Sequence, residues 1–444
     1  MLLNLSCTES LVMMDAAEHD RDIWRQHRSL VKVAFTTHAV TNMATKVWQV
    51  ANCLSKSILH ECIKNIRSRE QGSYTQEASD LFRWATVDIF GKVALNYSFQ
   101  CTETLSTTPL AQSLDHTIED CNDRCKPGNL LNPLYQFYWI PTQKNIEYQK
   151  HSNHVRDTMS DICQRRMQQI QAEKDKAGSS SYLHCKDDDL LTSLLKAKAR
   201  EREIRPDDSH EDSVNMLLTF FFAGYDTSSV LLTMAMWLVA MNPEIQEECA
   251  NESHAATTRN GKECSLHEDP TQWESRLAYC RAVIMEALRL HPPVYTNSRN
   301  LSRDIKLDGC IVPKGTRVFI PVLHVQTDER NFERPTEFLP ERWVHKDAST
   351  GKWVARDYNV EPKSVANDST YIPPGNPNNI FAFSDGARNC VGHRLALQES
   401  VIVFACLVRD LTVTLPQGFV MQKRRKFALA PPVSMPLSFR KRHR

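Results

Sequence analysis

The amino-acid sequence predicts a mainly α-helical protein with a small β portion in its second half. Most of the chain repeats apolar residues at helical spacing, whereas Asp304–Val322 alternates short β-type runs with Asp-Gly and Lys-Gly turns. Glycine is scarce, at 13 of 444 residues, which disfavours a turn-dense all-β architecture. Apolar residues make up 41% of the chain, enough for a large core. We therefore expect residues 1–444 to form a single domain.

The charge balance and the cysteines limit the classes of function. The chain has 54 Lys and Arg against 53 Asp and Glu, which lacks the basic excess of a general nucleic-acid-binding protein, so we expect no nucleic-acid partner. The 14 cysteines follow no regular framework, and a chain of this length does not need disulfide staples. This pattern predicts reduced thiols on a cytosolic face.

Six helices have bounds that the sequence predicts, and clear stop signals end two of them. Asn242-Pro243 ends the long helix that reaches Ala240, and Pro243 is well placed to begin a further helix. His291-Pro292-Pro293 ends the helix Trp273–Leu290. Lys174–Asp189 and Asp347–Asn379 lack periodicity, and we expect a loop and an irregular insertion there. The predicted helices are Trp24–Phe35, Asp80–Asn96, Ile146–Ala172, a long helix from Asp207–Ser209 to Ala240, Trp273–Leu290 and Leu395–Leu411.

One apolar stretch, Leu217–Met241, is long enough to cross a membrane. It contains Asp226 within the polar segment Gly224–Ser228. An ionisable residue in the middle of such a stretch fits a buried helix with a functional polar break better than it fits contact with lipid.

The most specific motif is the segment Phe383–Gly392, with the sequence FSDGARNCVG. Cys390 has a glycine on each side, Arg388 precedes it by two residues, and a helix is expected to begin at about His393. The backbone N–H groups of such a loop, together with the N-terminus of the following helix, stabilise a thiolate. A thiolate held in this way can act as a nucleophile or as a metal ligand.

This segment resembles the haem-binding signature of the cytochromes P450, Phe-x-x-Gly-x-Arg-x-Cys-x-Gly, and every fixed position of the signature is present. The resemblance implies a haem cofactor (iron protoporphyrin) with Cys390 as the axial thiolate ligand of the iron. It also implies that Phe383, Arg388 and Gly392 contact the cofactor. The implied fold is the cytochrome P450 fold, a helical body with a small β portion.

Two further blocks occur in the order that the family has. Glu286-Ala-Leu-Arg289 matches its Glu-x-x-Arg pair, and Phe338-Leu-Pro-Glu-Arg342-Trp matches its later arginine block. In the family these three side chains form a buried ion-pair network, where each charge is tolerated because it is paired. The alternative is a surface pair at positions i and i+3 of a helix, which leaves Arg342 unexplained.

The segment Ala223–Ser228 matches the oxygen-activation block of the family's long central helix. An Asp-Thr pair at a helix break can hold water and relay protons, so the resemblance implies catalytic roles for Asp226 and Thr227. The alternative is an ordinary polar kink in a buried helix.

Haem carboxylates require fixed cations. Trp24-x-x-x-Arg28 looks like the family's propionate-contacting helix, and the match adds Arg299 and Arg388 as further partners of the cofactor. Each of these arginines taken alone would fit a surface position, so their assignment depends on the resemblance.

Two regions depart from the family pattern. Only 23 residues precede Trp24, so we expect a chain that is truncated at its N-terminus relative to the family, without the first strands and one wall of the active site. Strands near Asp304–Val322 would then lack partners and expose an edge. The stretch Val344–Pro377 is longer than usual for the family, and the sequence suggests no role for it.

The resemblance implies a haem-thiolate monooxygenase of the eukaryotic microsomal type. It would insert one oxygen atom of O₂ into an apolar organic substrate, with fatty-acid-like compounds among the candidates, and would take electrons from an NADPH-dependent flavoprotein reductase. The full-length form would associate with the endoplasmic reticulum membrane on its cytosolic face. Two alternatives stay open: a haem-thiolate isomerase or dehydratase acting on peroxides, which needs no Asp226-Thr227 relay, and a non-catalytic remnant unable to hold haem.

Overall fold

The computed structural model describes residues 18–67, 72–124, 137–177, 189–202, 210–259, 262–263, 272–356, 377–422 and 433–442, with the single residues 129, 132 and 134. The chain divides into two compact units, each built from two separate stretches of sequence. Unit 1 comprises Met1–Val40 and Thr86–Asp226, and unit 2 comprises Thr41–Ala85 and Thr227–Arg444. The single domain expected over residues 1–444 stays a prediction.

Helices dominate the described residues. The long predicted helix is present and ends at Met241, and Pro243 begins the next helix because proline lacks only an N–H that the first turn leaves unused. The helices are α1 (Glu18–Ala34), α2 (Thr37–Arg67), α3 (Ala78–Phe90, extended by a π-helical turn over Gly91–Leu95), α4 (Cys101–Thr104), α5 (Pro109–Arg124), α6 (Gln143–Ala177), α7 (Leu190–Arg202), α8 (His210–Met241), α9 (Pro243–Thr257), α10 (Trp273–Arg276), α11 (Ala278–Leu290), α12 (Val322–Gln326) and α13 (His393–Asp410).

The strands form small antiparallel sheets. One sheet has the order β1-β11-β10, built from β1 (Ser73–Glu77), β10 (Leu411–Thr414) and β11 (Pro436–Lys441). The other described strands form two-stranded pairs: β2 (Thr258–Arg259) with β3 (Lys262–Glu263), β4 (Asn297–Asn300) with β7 (Arg317–Ile320), β5 (Ile305–Leu307) with β6 (Cys310–Val312), and β8 (Val344–Lys346) with β9 (Trp353–Ala355).

The core of unit 1 is helical and aromatic. Helix α5 packs against α6, and α1 packs against α7. Phe221 stacks on Phe90 with ring centroids 4.6 Å apart and on Phe99 at 6.2 Å. Such offset ring pairs add stabilisation to the burial of their apolar area.

Helix α13 is the core helix of unit 2, and it begins at His393, directly after the segment Phe381–Gly392 that carries Cys390 (the Cys390 loop). Every residue from Gln398 to Arg409 is buried, and the helix packs against α9 and α11. At its C-terminal end, Ser55 donates to the carboxylate of Asp410 at 2.9 Å. The loop that carries Cys390 is therefore attached to one of the most buried elements of this unit.

Two predictions about elements of unit 2 were wrong. The predicted helix Trp273–Leu290 is interrupted at Leu277, whose φ of −123° and ψ of 42° are not helical. The stretch Asp347–Asn379, expected to be irregular, contains strand β9, whose Trp353 ring stacks on Tyr279 at 4.5 Å. That tertiary contact favours a hairpin where the local sequence shows no strand period. Residues 357–376 of the insertion lie outside the described residues.

Phe319 on β7 is 64% exposed and Ile311 on β6 is 73% exposed, so both strands carry an apolar side chain on a face that no described residue covers. The expectation that these strands lack partners at an edge stays a prediction. By length and composition, Glu211–Met241 is the one helix of the described ranges that could cross a membrane, and 78% of its most apolar window is buried inside the molecule. Such burial is typical of a core helix, as predicted.

Candidate active site

The Cys390 loop has a defined backbone geometry. Asp385 accepts a hydrogen bond at 2.6 Å from the N–H of Gly386, which opens a 3₁₀ turn over Gly386–Arg388. Gly386 has a φ of +73°, a conformation that side chains other than glycine adopt only with strain. The N–H of Cys390 then donates to the carbonyl of Phe383 at 2.8 Å, which closes the loop.

Cys390 is solvent-exposed, which is unusual for a cysteine. Among the cysteines that the structure describes, only Cys310 is also exposed, and Cys310 lies on a hairpin strand rather than before a helix. Burial raises the pKa of the Cys249 thiol, and it raises the pKa of the Cys280 thiol well above its ordinary value, so burial disfavours the thiolate at both positions. The position of Cys390 next to the N-terminus of α13 is therefore the described cysteine environment best suited to a thiolate.

Two side chains from other elements contact the Cys390 loop. Arg299, on β4, donates to the hydroxyl of Ser384 at 2.6 Å. Gln326, the last residue of α12, accepts a hydrogen bond from the N–H of Phe381 at 2.8 Å. The structure thus brings predicted residue Arg299 to the loop, together with Gln326, which the sequence did not point to.

The other predicted cofactor residues of unit 2 belong to the loop itself. The ring of Phe383 lies 6.0 Å from the ring of His393, and His393 also contacts the carbonyl of Cys390 at 2.9 Å through Nδ1. Gly392 is the N-cap residue of α13, and Arg388 is half-buried at the end of the 3₁₀ turn. A guanidinium in this place lies close in sequence to the thiol and to the N-terminus of the helix.

Three predicted site residues lie in unit 1. Trp24 and Arg28 are separated by one turn of α1 and share a face, and each is only 8% exposed. Asp226 lies on α8 and is 4% exposed. The neighbouring Tyr225 donates its hydroxyl to Asp115 at 2.6 Å, so the polar segment of α8 makes specific contacts inside unit 1.

The polar segment of α8 continues in unit 2 with Thr227, which is half-buried, and Ser228, which is buried. Ser228 donates a hydrogen bond to Glu399 of α13. Burial raises the pKa of the Glu399 carboxyl to about 8, an effect that the hydrogen bond from Ser228 only partly offsets. Thr227 therefore lies next to a residue that contacts the helix following the Cys390 loop.

Glu286, Arg289 and Arg342 form a buried network in unit 2. Arg289 donates to the carboxylate of Glu286 at 2.8 and 3.0 Å, and Arg342 donates to it at 3.1 Å. Trp343 adds a further donor at 2.9 Å. Glu286 and Arg289 are fully buried, so the alternative of a surface pair is wrong.

Three contributing residues were missed by the sequence analysis. Trp343 follows Arg342 in the motif that was quoted, and its indole N–H could have been suspected as a donor. Glu399 lies in a helix that was predicted, but one acidic residue on a helix carries no signal of burial. Gln326 lies in a segment without periodicity, and its partners Phe381 and Leu288 are distant in sequence.

The residues present fit a haem. The exposed thiol of Cys390 would, once deprotonated to the thiolate, be a soft, anionic ligand of the kind that haem iron accepts. Arg299 and Arg388 lie at this loop and are cations of the kind that would hold the carboxylates of the cofactor. A Cβ built on Gly386 would meet no atom within 4 Å, so the loop has open space beside it.

Comparison with known proteins identifies the family. A sequence profile described as Cytochrome P450 matches residues 13–436. The chain therefore belongs to the cytochrome P450 family, and with it to the haem-thiolate monooxygenases, oxidoreductases that use O₂, a redox partner and a haem cofactor.

Two curated relatives illustrate the breadth of the similarity. The chain is 25% identical over 420 residues to "Probable cytochrome P450 12c1, mitochondrial" of Drosophila melanogaster, covering 94% of this chain and 71% of the relative. It is 26% identical over 428 residues to "Cytochrome P450 97B2, chloroplastic" of Glycine max, covering 89% of this chain and 67% of the relative. The chain thus spans roughly two thirds of their length.

A solved structure shows the same fold. The crystal structure of the cytochrome P450DA heme domain aligns with a TM-score of 0.70 at 17% sequence identity, covering 100% of this chain and 82% of that structure. The predicted fold class, mainly α with a small β portion, is confirmed.

Proposed function

We propose that this chain is a monooxygenase of apolar organic substrates, fatty-acid-like compounds among them, with Cys390 as the axial ligand of the haem iron. The observation that carries the proposal is the exposed thiol of Cys390 in a glycine-flanked loop directly before α13. Haem, when bound there, supplies the activation of O₂, so that one oxygen atom enters a C–H bond and the other leaves as water. The reaction consumes two electrons and two protons.

The chain's own residues have separate tasks in this proposal. Cys390 binds the iron as a thiolate, which the loop N–H groups and the N-terminus of α13 stabilise. Arg299 and Arg388 of unit 2 would bind the haem carboxylates, and the family match proposes the same task, independently, for Trp24 and Arg28 of α1. Phe383 and Gly392 shape the loop against the cofactor.

Protons are proposed to pass through Asp226 and Thr227. In this proposal the carboxylate of Asp226 takes up a proton from water, and the hydroxyl of Thr227 would pass a proton on and be reprotonated by Asp226. The half-buried position of Thr227, directly after the buried Asp226, supports this role.

The electron donor is proposed to be an NADPH-dependent flavoprotein reductase, and the full-length form is proposed to associate with the cytosolic face of the endoplasmic reticulum membrane. All cysteines within the described ranges are free thiols, which agrees with a reducing compartment. The two relatives described above are mitochondrial and chloroplastic by name. Fractionation of cells that express the chain, with markers for all three organelles, tests this assignment.

The reduced, CO-treated absorption spectrum of the haem-reconstituted chain tests the proposed function. A Soret band at the position of thiolate-ligated haem is expected, followed by substrate oxidation that depends on O₂ and the reductase. The absence of haem binding would instead identify a non-catalytic remnant. A thiolate spectrum with turnover of organic peroxides, but none with O₂ and reductase, would identify an isomerase or dehydratase.

A further inference from the structure

Gln326 is a fully buried glutamine whose side chain joins two elements of unit 2. Its Nε2 donates to the carbonyls of Leu288 and Arg289, at 3.1 and 3.0 Å, at the C-terminal end of α11. Its Oε1 accepts the hydrogen bond from the N–H of Phe381 at 2.8 Å. One amide group therefore uses both of its donors and its acceptor between the end of α11 and the start of the Cys390 loop.

The backbone of Gln326 connects the same place to the buried ion-pair network. Arg289 donates through Nη1 to the carbonyl of Gln326 at 2.9 Å, while its other nitrogens bind Glu286. A side chain held by this network has little freedom to move, because shifting it would leave buried charges and carbonyls without partners.

Two backbone hydrogen bonds extend this connection to the cysteine. The N–H of Ser384 donates to the carbonyl of Phe381 at 2.8 Å, and the N–H of Cys390 donates to the carbonyl of Phe383 at 2.8 Å. Gln326 thus binds Phe381, the first residue of the segment Phe381–Cys390. The last residue of that segment, Cys390, carries the thiol, and its N–H makes the final hydrogen bond of the segment. Arg299 holds the middle of the segment through Ser384.

We propose that Gln326 is a positioning residue that holds the Cys390 loop in register with α11, so that the thiol keeps the orientation that ligation of haem iron requires. That the loop orients a haem ligand rests on the proposed function, whereas the hydrogen bonds that join Gln326 to α11 and to Phe381 do not depend on haem. Replacing this buried amide by an apolar side chain lowers the stability of the folded chain, because two carbonyls and one N–H would be left without a hydrogen-bond partner.

The test is Gln326→Met in the full chain, with Gln246→Met as the matched control. Gln246 is also buried, its Nε2 donates to the carbonyls of Val239 and Val413 at 3.2 and 3.0 Å, and its Oε1 accepts from the N–H of Val413 at 2.8 Å. Gln246 also accepts a long hydrogen bond from Arg442 at 3.4 Å. Apart from that bond the two variants remove the same kinds of hydrogen bond from the same unit, and only Gln326→Met removes them from the Cys390 loop. Gln326→Asn, which is one methylene shorter, replaces Gln326→Met if that variant does not fold.

The first measurement is amide hydrogen exchange of Phe381, Ser384 and Cys390 in the chain without haem. Gln326→Met is expected to accelerate exchange at these amides by roughly tenfold or more relative to the parent, whereas Gln246→Met leaves them at the parent rate. The second measurement is the reduced, CO-treated spectrum with haem, in which Gln326→Met is expected to show a smaller thiolate fraction than Gln246→Met.

Parent-like exchange in Gln326→Met, or equal acceleration in Gln246→Met, would overturn the positioning role. The two proposals can fail separately because exchange needs no haem. If the parent shows no thiolate spectrum but the three amides respond to Gln326→Met, the proposed function is wrong and the positioning role stands. If the parent shows the thiolate spectrum and the amides do not respond, the positioning role is wrong and the proposed function stands.

Discussion

Cys390 is the residue on which the proposed chemistry depends. Replacing it by serine removes a polarisable thiolate and leaves a neutral hydroxyl, which is a poor ligand for haem iron. We expect Cys390→Ser to lose the thiolate-type CO spectrum and all O₂-dependent turnover. The spectrum and the rate of product formation are measured on the same preparation.

Cys310→Ser is the control for this variant, since Cys310 is the other exposed thiol among the described cysteines of the chain. It should keep both the parent spectrum and the parent turnover. If Cys390→Ser retained turnover, Cys390 would not be the ligand of the haem iron.

Glu399 is expected to make the free energy of unfolding of the chain depend on pH. Its pKa is raised from the ordinary value of 4.5 to about 8, mainly because burial disfavours the carboxylate, and so the folded chain binds this proton more tightly than the unfolded chain does. The free energy of unfolding that Glu399 contributes should therefore be fully present below about pH 4.5 and should fall, by on the order of a few kcal/mol, as the pH rises to about 8.

Glu399→Gln removes the titration and keeps an acceptor for Ser228. We expect its free energy of unfolding, measured by urea titration across this pH range, to decline less than that of the parent. Glu274→Gln, at an exposed position, should follow the parent. A parent and a Glu399→Gln variant with parallel pH profiles would show that Glu399 does not titrate in the folded chain within this window.

At the scale of elements, α8 combines an apolar body with the polar segment that contains Thr227. Thr227→Ala should leave haem content unchanged while lowering product formed per O₂ consumed, because a hydroxyl that donates protons is lost. General acid catalysis contributes roughly 10²–10⁴-fold, which sets the upper limit for the loss of product formation.

Thr233→Ala is a matched control on the same helix. Thr233 is buried and donates to the carbonyl of Ser229 at 2.8 Å, a local bond with no proposed part in catalysis. The ratio of product to O₂ consumed should stay at the parent value in Thr233→Ala. If Thr227→Ala keeps that ratio as well, Thr227 has no part in the proton relay.

The helices were easier to predict than the strands, for a physical reason. A helix closes its hydrogen bonds within one segment, so the periodicity of α6 or α13 and the proline that begins α9 are local signals. The sheet β1-β11-β10 pairs Ser73–Glu77 with Pro436–Lys441. A local sequence pattern does not predict a pairing between segments so far apart in the sequence. Strand β9 was missed for the same reason, since its Trp353 depends on Tyr279.

At the scale of the whole molecule, the buried network around Glu286 stabilises unit 2. Arg289 makes two hydrogen bonds to Glu286 and three to the carbonyls of Gln326, Pro335 and Glu337. Lysine keeps the charge but lacks the planar fork that makes these bonds together. We expect Arg289→Lys to lose about 3–5 kcal/mol of unfolding free energy and to be recovered with little haem.

Arg334→Lys is the control, because Arg334 forms an exposed pair with Glu337 at the same i,i+3 spacing. An exposed pair contributes about 0–1 kcal/mol, so this variant should melt and bind haem like the parent. Melting curves and haem-to-protein ratios of both variants are compared directly. Equal, parent-like values for Arg289→Lys would mean that the network does not stabilise the fold.

The sequence alone determined the fold class, the family and the residues of its motifs, because these are carried by local periodicity and by short segments such as Phe383–Gly392. Only the tertiary structure decided that Glu286 is paired on all sides, that Ser228 meets Glu399, and that Gln326 holds the Cys390 loop. The contacts of Glu286 with Arg342, of Ser228 with Glu399 and of Gln326 with the N–H of Phe381 span 56, 171 and 55 residues of chain. Burial of a polar group and the partner that satisfies it are properties of the packed molecule, and a linear pattern does not encode them.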